Sequence, residues 1–254
     1  MTITFLGTGT SQGVPVIGCT CEVCTSVDFR DKRLRSSVHI QTGNLSLVID
    51  TGPDFRQQML RENIGQIDAI LFTHAHRDHT AGLDDVRAYN FKQNINMPVY
   101  GTTETLHQIQ SDFAYIFGPD NYPGLPRITL FPITSKPFSI NNVEIIPLPV
   151  LHLKLPVLGF RIGSFAYITD ANYIPEETLE KLRGIKHLVL NALQREPHIS
   201  HFNLDEAIGM VKKINPEKAW FTHISHKLGT QRNIEKELPE GIALAWDGLQ
   251  LSIA

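Results

Sequence analysis

Thr73-His74-Ala75-His76-Arg77-Asp78-His79 places three imidazoles and a carboxylate in one short turn. The turn follows Ile67-Asp68-Ala69-Ile70-Leu71-Phe72, an apolar run that reads as a buried strand. Neutral imidazole and carboxylate are the usual ligands of zinc, manganese and iron. In H-x-H-x-D-H, alternate residues face two sides of a loop at a strand end, so one turn can feed two ions. A lone histidine here would read as a surface or core residue. Four ligand-type residues in six positions read as a metal site.

The bulk numbers are those of an ordinary globular chain. At 254 residues and 42% hydrophobic, the chain can bury a large core, and length alone allows one or two domains. The start, Met1-Thr2-Ile3-Thr4-Phe5-Leu6-Gly7, has neither a basic segment nor a long apolar stretch. No signal peptide or membrane span is expected, and the expected location is the cytoplasm. A net charge of −3 gives no overall pull toward nucleic acid, although a local basic patch is left open.

The three cysteines all lie in Gly18-Cys19-Thr20-Cys21-Glu22-Val23-Cys24. An odd number without a secretion signal argues against a disulfide framework. C-x-C-x2-C gathers three thiolates, and a closed structural zinc site needs a fourth ligand, for which His226 is the candidate. The plainer alternative is three reduced thiols or a redox pair.

Further along the chain, Ile3–Leu6 reads as a strand followed by the Gly-rich loop Gly7–Pro15, which lacks the lysine of a P-loop and fits a tight turn beneath a metal site. Residues 36–41 and 45–50 read as a hairpin, and Pro53 as the first residue of a helix to about Glu62. Helices are expected over 84–91, 102–117, 175–183, 203–213 and 230–238. Strands are expected over 98–101, 143–148, 157–162, 164–169, 187–191, 218–222 and 242–246, with a last short one after Trp246-Asp247-Gly248. Residues 118–137, rich in Pro and Gly, read as an irregular surface loop. Strands and helices in two halves give a layered α/β domain.

With its His-rich turn, the chain resembles the metallo-β-lactamase-fold hydrolases. Leu148-Pro149-Val150-Leu151-His152, Phe165-Ala166-Tyr167-Ile168-Thr169-Asp170, Ala219-Trp220-Phe221-Thr222-His223 and Leu47-Val48-Ile49-Asp50 match that family's remaining strand-end positions in order. The resemblance implies an αββα sandwich formed as a single domain over 1–254, with a small zinc-binding loop at 18–25. It implies two catalytic divalent ions, zinc or manganese. His74, His76 and His152 would hold one, Asp78, His79 and His223 the other, and Asp170 would bridge them. Asp50, and with less support Asp247, would orient ligands. His39, His107 and His187 carry no special spacing.

Gly7-Thr8-Gly9, Ser11-Gln12-Gly13-Val14-Pro15, the cysteine cluster and Thr222-His223-Ile224-Ser225-His226 together look like one branch of the family. That branch includes the cyclic phosphodiesterase of bacterial phosphonate breakdown. The resemblance assigns Cys19, Cys21, Cys24 and His226 to one structural zinc. It makes His201 the proton donor to the leaving group, with His198 as its rival. Asp78 and His201 are thus the groups expected to bear most directly on catalysis. The expected reaction is hydrolysis of a small, cyclic phosphodiester, with Arg77 or the Gly7–Gly13 loop as phosphate donors.

Three alternatives are a tRNA 3′-end endonuclease, a thioester hydrolase, and a non-catalytic binding module held by metal. The endonuclease is disfavoured because no long basic insertion is present, and the module because all seven ligand positions are filled. The expected partner is a small molecule, not nucleic acid or membrane, with a second copy of the chain left open.

Overall fold

The computed structural model describes residues 1–118 and 122–253. Two seven-stranded sheets face one another. The first holds β1 (Thr2–Gly7), β2 (Ser37–Thr42), β3 (Leu45–Ile49), β4 (Ala69–Leu71), β5 (Met97–Gly101) and β6 (Ile128–Pro132), and β14 (Gln250–Ser252) returns to pair with β1. The second runs in order from β7 (Phe138–Ile140) through β8 (Val143–His152), β9 (Leu155–Ile162), β10 (Phe165–Ile168), β11 (His187–Asn191) and β12 (Lys218–Thr222) to β13 (Ile242–Leu244). Each sheet has an antiparallel part and a parallel part.

Side-chain alternation explains the layers. In β12, Trp220 packs between the sheets while Ala219 and Phe221 pack outward. In β4, Ala69 and Leu71 face the second sheet while Ile70 and the following Phe72 face helices. Strands covered on both faces read as unbroken apolar runs, as these do. The short α1 (Glu22–Thr25) carries Cys24. Helices α2 (Phe55–Arg61), α4 (Arg87–Gln93) and α5 (Thr103–Asp112) cover the first sheet, and α3 (Arg77–Thr80) is the continuation of the His-rich turn. The one-turn α6 (Ala114–Phe117) follows α5; α7 (Glu176–Lys181) and α8 (Leu204–Ile214) cover the second sheet, and α9 (Gln231–Ile234) is again one turn. The result is the expected αββα sandwich in a single domain. Among the described residues no helix is long and apolar enough to cross a membrane.

Several boundaries differ from the sequence reading. Within 118–137, Ile128–Pro132 is a strand, because it pairs in parallel with β5 and Phe131 stacks on Tyr100 at 4.9 Å. Pro132 is tolerated there because β6 is an edge strand. Residues 119–121 of that expected loop lie outside the described residues. The helix expected over 102–117 breaks where Phe113 leaves helical geometry at φ −117°, ψ 38°. Pro53 sits in a turn before α2 rather than at its first position, because the chain uses Asp54 to bind Arg35. The helix expected over 84–91 is split into a 3₁₀ turn, Leu83–Val86, and α4.

His39 on β2 is buried and accounts for one pH-sensitive term in stability. Ser46 Oγ donates to Gln66 O at 2.7 Å, so His39 Nε2–H donates to Ser46 Oγ at 2.8 Å. Burial pushes its pKa down to about 4. Its stabilising contribution is therefore complete above the unfolded value of about 6.5 and is lost as pH falls from there toward 4. His39→Gln should flatten the acid side of the stability curve by up to about 1.4 kcal/mol per pH unit in that window. Chemical denaturation of both proteins between these pH values checks it, and parallel slopes would contradict it.

Candidate metal centre

Each expected ligand lies just beyond a strand end, and all reach the same edge of the sandwich. The strand β4 ends before Thr73 and His74, β8 ends on His152, β10 precedes Asp170, and β12 precedes His223. Carboxyl ends of parallel strands are where open α/β sheets place their sites. Asp50, Asp170 and His223 all have left-handed backbone, with φ of 64°, 53° and 56°. Non-glycine residues reach this region at a cost of about 1–3 kcal/mol, and such strain collects where a side chain must be aimed.

The His74 and His76 rings converge, with Nε2 of the first 2.9 Å from Nδ1 of the second. His152 lies beside them, its ring 5.2 Å from that of His76. Its Nδ1–H donates to Ser200 O at 2.8 Å, so the lone pair is on Nε2. Asp78, His79, Asp170 and His223 form one group of donor atoms close enough for a single ion, and His152, Asp170 and His201 form another. Asp170 is common to both. His79 Nε2 is buried without a hydrogen-bond partner, although Asp78 Oδ2 and Asp170 Oδ2 lie 3.2 and 3.3 Å away. These atoms aim at a shared point rather than at one another, as a metal ligand set does. Nitrogen and carboxylate donors at such a point suit a divalent ion.

Electrostatics keep the donors other than His79 in ligand form. Burial holds His74 well below the ordinary histidine range, helped by the charge of His79. Burial also lowers His152, and takes His223 down to about 4. For Asp170, burial is outweighed by His223 and His79, which hold the carboxyl well below the usual range. Asp78 is lowered in the same way, chiefly by His79 against its burial. His79 itself is driven up: burial opposes a charge, but Asp170, Asp50 and Asp78 together overcome it.

The groups that aim the ligands are fixed in turn. Asp50 Oδ2 accepts from His79 Nδ1 at 2.7 Å and from Thr73 Oγ1 at 2.9 Å, and its Oδ1 accepts from Thr73 N. His223 Nδ1 lies 3.2 Å from Ser36 Oγ, and its Nε2 3.3 Å from Thr10 Oγ1. Thr169 Oγ1 donates to Asp170 Oδ2 at 2.6 Å. Sequence reading missed Thr10, Ser36, Thr73 and Thr169, since a hydroxyl next to a strand end carries no signal of its own. It also missed Gly52 and Gly82: a Cβ on Gly52 would sit 2.2 Å from Asp78 O, so only glycine lets the ligand turn approach.

Asp247 does not reach the ligands. Its carboxylate accepts from Thr8 N and Leu34 N at 2.9 and 2.8 Å and pairs with Arg61, because it clamps the loop after β1. The Gly7–Gly13 loop likewise offers few anion donors. Gly9 N, Thr10 N and Gly13 N donate to Leu34 O, Ile224 O and Thr10 O. Its glycines serve close packing: a Cβ on Gly7 would meet Arg35 O at 1.9 Å. His187 stacks on Trp220 and His107 is exposed, both away from the cluster.

His201 stands at the edge of the cluster. Its Nε2 donates to Asp170 Oδ1 at 3.1 Å, which puts a proton on the nitrogen facing the ligands. Its Nδ1 lies 3.1 Å from Ser200 Oγ and 3.2 Å from Nδ1 of the exposed His198.

A second donor set lies on the cysteine loop. Sγ of Cys19, Cys21 and Cys24 are 3.3, 3.4 and 3.5 Å from His226 Nδ1. A tetrahedral zinc with bonds of about 2.3 Å to sulfur and 2.0 Å to nitrogen requires S···N edges of about 3.5 Å. Hydrogen bonding from the Cys24 backbone and His226 takes Cys21 down to about 6, while burial pushes Cys24 up to about 11. Val16 N donates to Cys24 Sγ at 3.3 Å. The loop's own apolar contacts amount to Val14, Val23 and Cys24 with a few half-buried neighbours, so it has little core without a bound ion.

The signature described as beta-lactamase superfamily domain matches residues 46–224. The chain is 38% identical over 251 residues to the octanoyltransferase of Porphyromonas gingivalis (strain ATCC BAA-308 / W83), covering 98% of itself and 51% of that protein. It thus spans about half the length of that relative. A solved structure of a new diphosphatase from the PhnP family superposes with a TM-score of 0.93 at 41% identity, covering 100% of this chain and 98% of that one. Zinc-bound PqqB from Methylobacterium extorquens shares the fold, with a TM-score of 0.79 at 19% identity over the full length of both chains.

Asp50→Asn keeps the size of the side chain but loses the charged acceptor that aims His79. It should weaken divalent-metal affinity by about 10–100-fold while leaving the fold intact. Metal titration followed by calorimetry measures this, and an unchanged affinity would remove Asp50 from the support of the site.

Proposed function

The chain belongs to the beta-lactamase superfamily, and from that premise we propose that it is a dinuclear metal-dependent hydrolase of small, cyclic phosphodiesters. The observation that carries the reading is the convergence of His74, His76 and His152 beside the donor group Asp78, His79, Asp170 and His223, with His201 Nε2–H donating to Asp170 at their side. In this reading His74, His76 and His152 would hold one ion, and Asp78, His79 and His223 the other, with Asp170 available to both. Zinc or manganese bound there supplies Lewis-acid charge to a phosphoryl oxygen and makes water acidic enough to attack near neutral pH. Cys19, Cys21, Cys24 and His226 would hold a third ion, zinc, and so fasten the loop at 18–25. Three thiols committed to a metal suit a reducing compartment, the cytoplasm.

The protein's own groups handle the proton. Hydrolysis adds hydroxide to phosphorus and a proton to the departing oxygen, and the P–O bond between them breaks. An alkoxide is a poor leaving group, so the proton has to arrive as the bond breaks. His201 Nε2–H faces the site and is the donor, while Ser200 Oγ and His198 hold the other side of the ring. Asp50 and Ser200 O keep His79 and His152 turned toward their ions.

A second reading, cleavage of a diphosphate, is favoured by the 41% identical diphosphatase. The site would be the same, but phosphate leaves more readily than an alkoxide and needs His201 less. RNA cleavage is disfavoured by the net charge of −3, because neutralising phosphates dominates nucleic-acid affinity. Acyl-thioester hydrolysis remains an activity to assay, since the acyltransferase relative is about twice this length. The partner in this reading is a small molecule, and a homodimer is compatible with it.

His201→Ala should retain both cluster ions and lose about 10²–10⁴-fold in kcat on an alkyl cyclic phosphate. The loss should be much smaller when p-nitrophenolate leaves. Loss of one ion on substitution would make His201 a ligand and overturn the acid role.

A further inference from the structure

The cysteine loop is tied to the His/Asp cluster through one short stretch of backbone. His226 Nδ1 meets the three thiols, and His223, on the same segment, enters the cluster. Between them Ile224 N donates to Thr8 O at 2.9 Å, and Thr10 N donates to Ile224 O at 3.1 Å. Thr10 Oγ1 in turn lies 3.3 Å from His223 Nε2. A change that frees His226 therefore loosens the backbone that aims His223.

The three thiols differ in access. Cys21 is half-buried and caps α1, whereas Cys24 is buried within that turn. Val16 N donates to Cys24 Sγ at 3.3 Å and Lys32 Nζ donates to Cys24 O at 2.9 Å, so Cys24 is held in place. The sulfur atoms and His226 Nδ1 all lie within 4.8 Å of one another. Residues three apart on a helical turn hold their Cβ atoms about 5–6 Å apart, and a disulfide needs about 3.5–4.5 Å, so a small shift closes the bond. Cys19 and Cys21, with one residue between them, would close a smaller and more strained ring. A reachable thiol with a buried one a turn further on is the layout of an oxidisable dithiol.

We propose that Cys21 and Cys24 form an oxidation site, at which hydrogen peroxide turns the zinc-binding set into a disulfide and thereby releases the hold on His223. The proposal rests on the zinc assignment of the reading above. Cys21 Sγ attacks one peroxide oxygen, the O–O bond breaks, and hydroxide leaves and takes up a proton, which makes Cys21 a sulfenic acid. Cys24 Sγ then attacks that sulfur, the S–S bond forms, the S–O bond breaks, and the second hydroxide takes up a proton. Two thiolates lose two electrons, and peroxide with two protons becomes two waters. Cys19 and His226 are then the only ligands left, and a closed zinc site needs four. The few apolar contacts of the loop, Val14, Val23 and Cys24, do not replace the ion.

The test starts from protein with manganese in the His/Asp cluster and one zinc per chain, and needs no turnover. One equivalent of hydrogen peroxide should release that zinc to a chromogenic chelator with the loss of two thiols, and peptide mapping should find Cys21 joined to Cys24. After buffer exchange, a fresh titration should show the cluster binding manganese about tenfold more weakly, and a thiol reductant with added zinc should restore it. Cys19→Ser should still form the disulfide, whereas Cys24→Ser should not. Zinc retained after peroxide, a disulfide that uses Cys19 in the unaltered protein, or an unchanged manganese affinity once the zinc has gone would overturn the proposal. Absence of zinc from the cysteines before oxidation would instead defeat the metal assignment, and mapping would still decide the pairing.

Discussion

Two aspartates, Asp50 and Asp170, are buried to within 2% exposure against a cluster of imidazoles, and the rest of the structure answers to that burial. A carboxylate in such surroundings is stable only beside a positive charge and enough hydrogen-bond donors. Among the protein's own groups, a protonated His79 supplies that charge, ringed by Asp50, Asp78 and Asp170. Its Nε2 nevertheless finds no hydrogen bond of adequate geometry. A divalent ion held by Asp78, His79 and Asp170 would satisfy these donors together and displace the proton, leaving Asp50 to accept from His79 Nδ1–H.

The scaffold is arranged around that demand. Short loops after β4, β10 and β12 bring residues far apart in sequence to one edge, and three of the residues there adopt left-handed backbone to aim inward. The segment 222–226 joins the two candidate metal sites. His223 enters the His/Asp cluster, His226 meets the cysteines, and Ile224 between them exchanges hydrogen bonds with Thr8 and Thr10. An ion on the cysteine loop would thereby stiffen the strand end that carries His223.

The His-rich turn was legible because four ligand types crowd six positions after an apolar strand. His152, Asp170 and His223 were not legible in that way. Each is a single polar residue after an apolar run, and the left-handed backbone that aims Asp170 and His223 leaves no mark on composition. Family resemblance singled them out, and the fold brings them together. The cysteine set was readable from spacing, with His226 as its candidate partner. The short edge strands β6 and β7 escaped notice because they are fixed by aromatic stacking of Tyr100 with Phe131 and Phe138, a contact between distant residues. Asp247 and the Gly-rich loop were read toward the chemistry, yet both serve packing, since their hydrogen bonds close within the fold.

Anomalous diffraction from crystals grown with zinc or manganese tests the central claim most directly. The account predicts two peaks about 3.5–4 Å apart inside the His/Asp cluster, flanking Asp170. It also predicts a third peak, for zinc, among Cys19, Cys21, Cys24 and His226. A single peak in the cluster at saturating metal, or none, would contradict it.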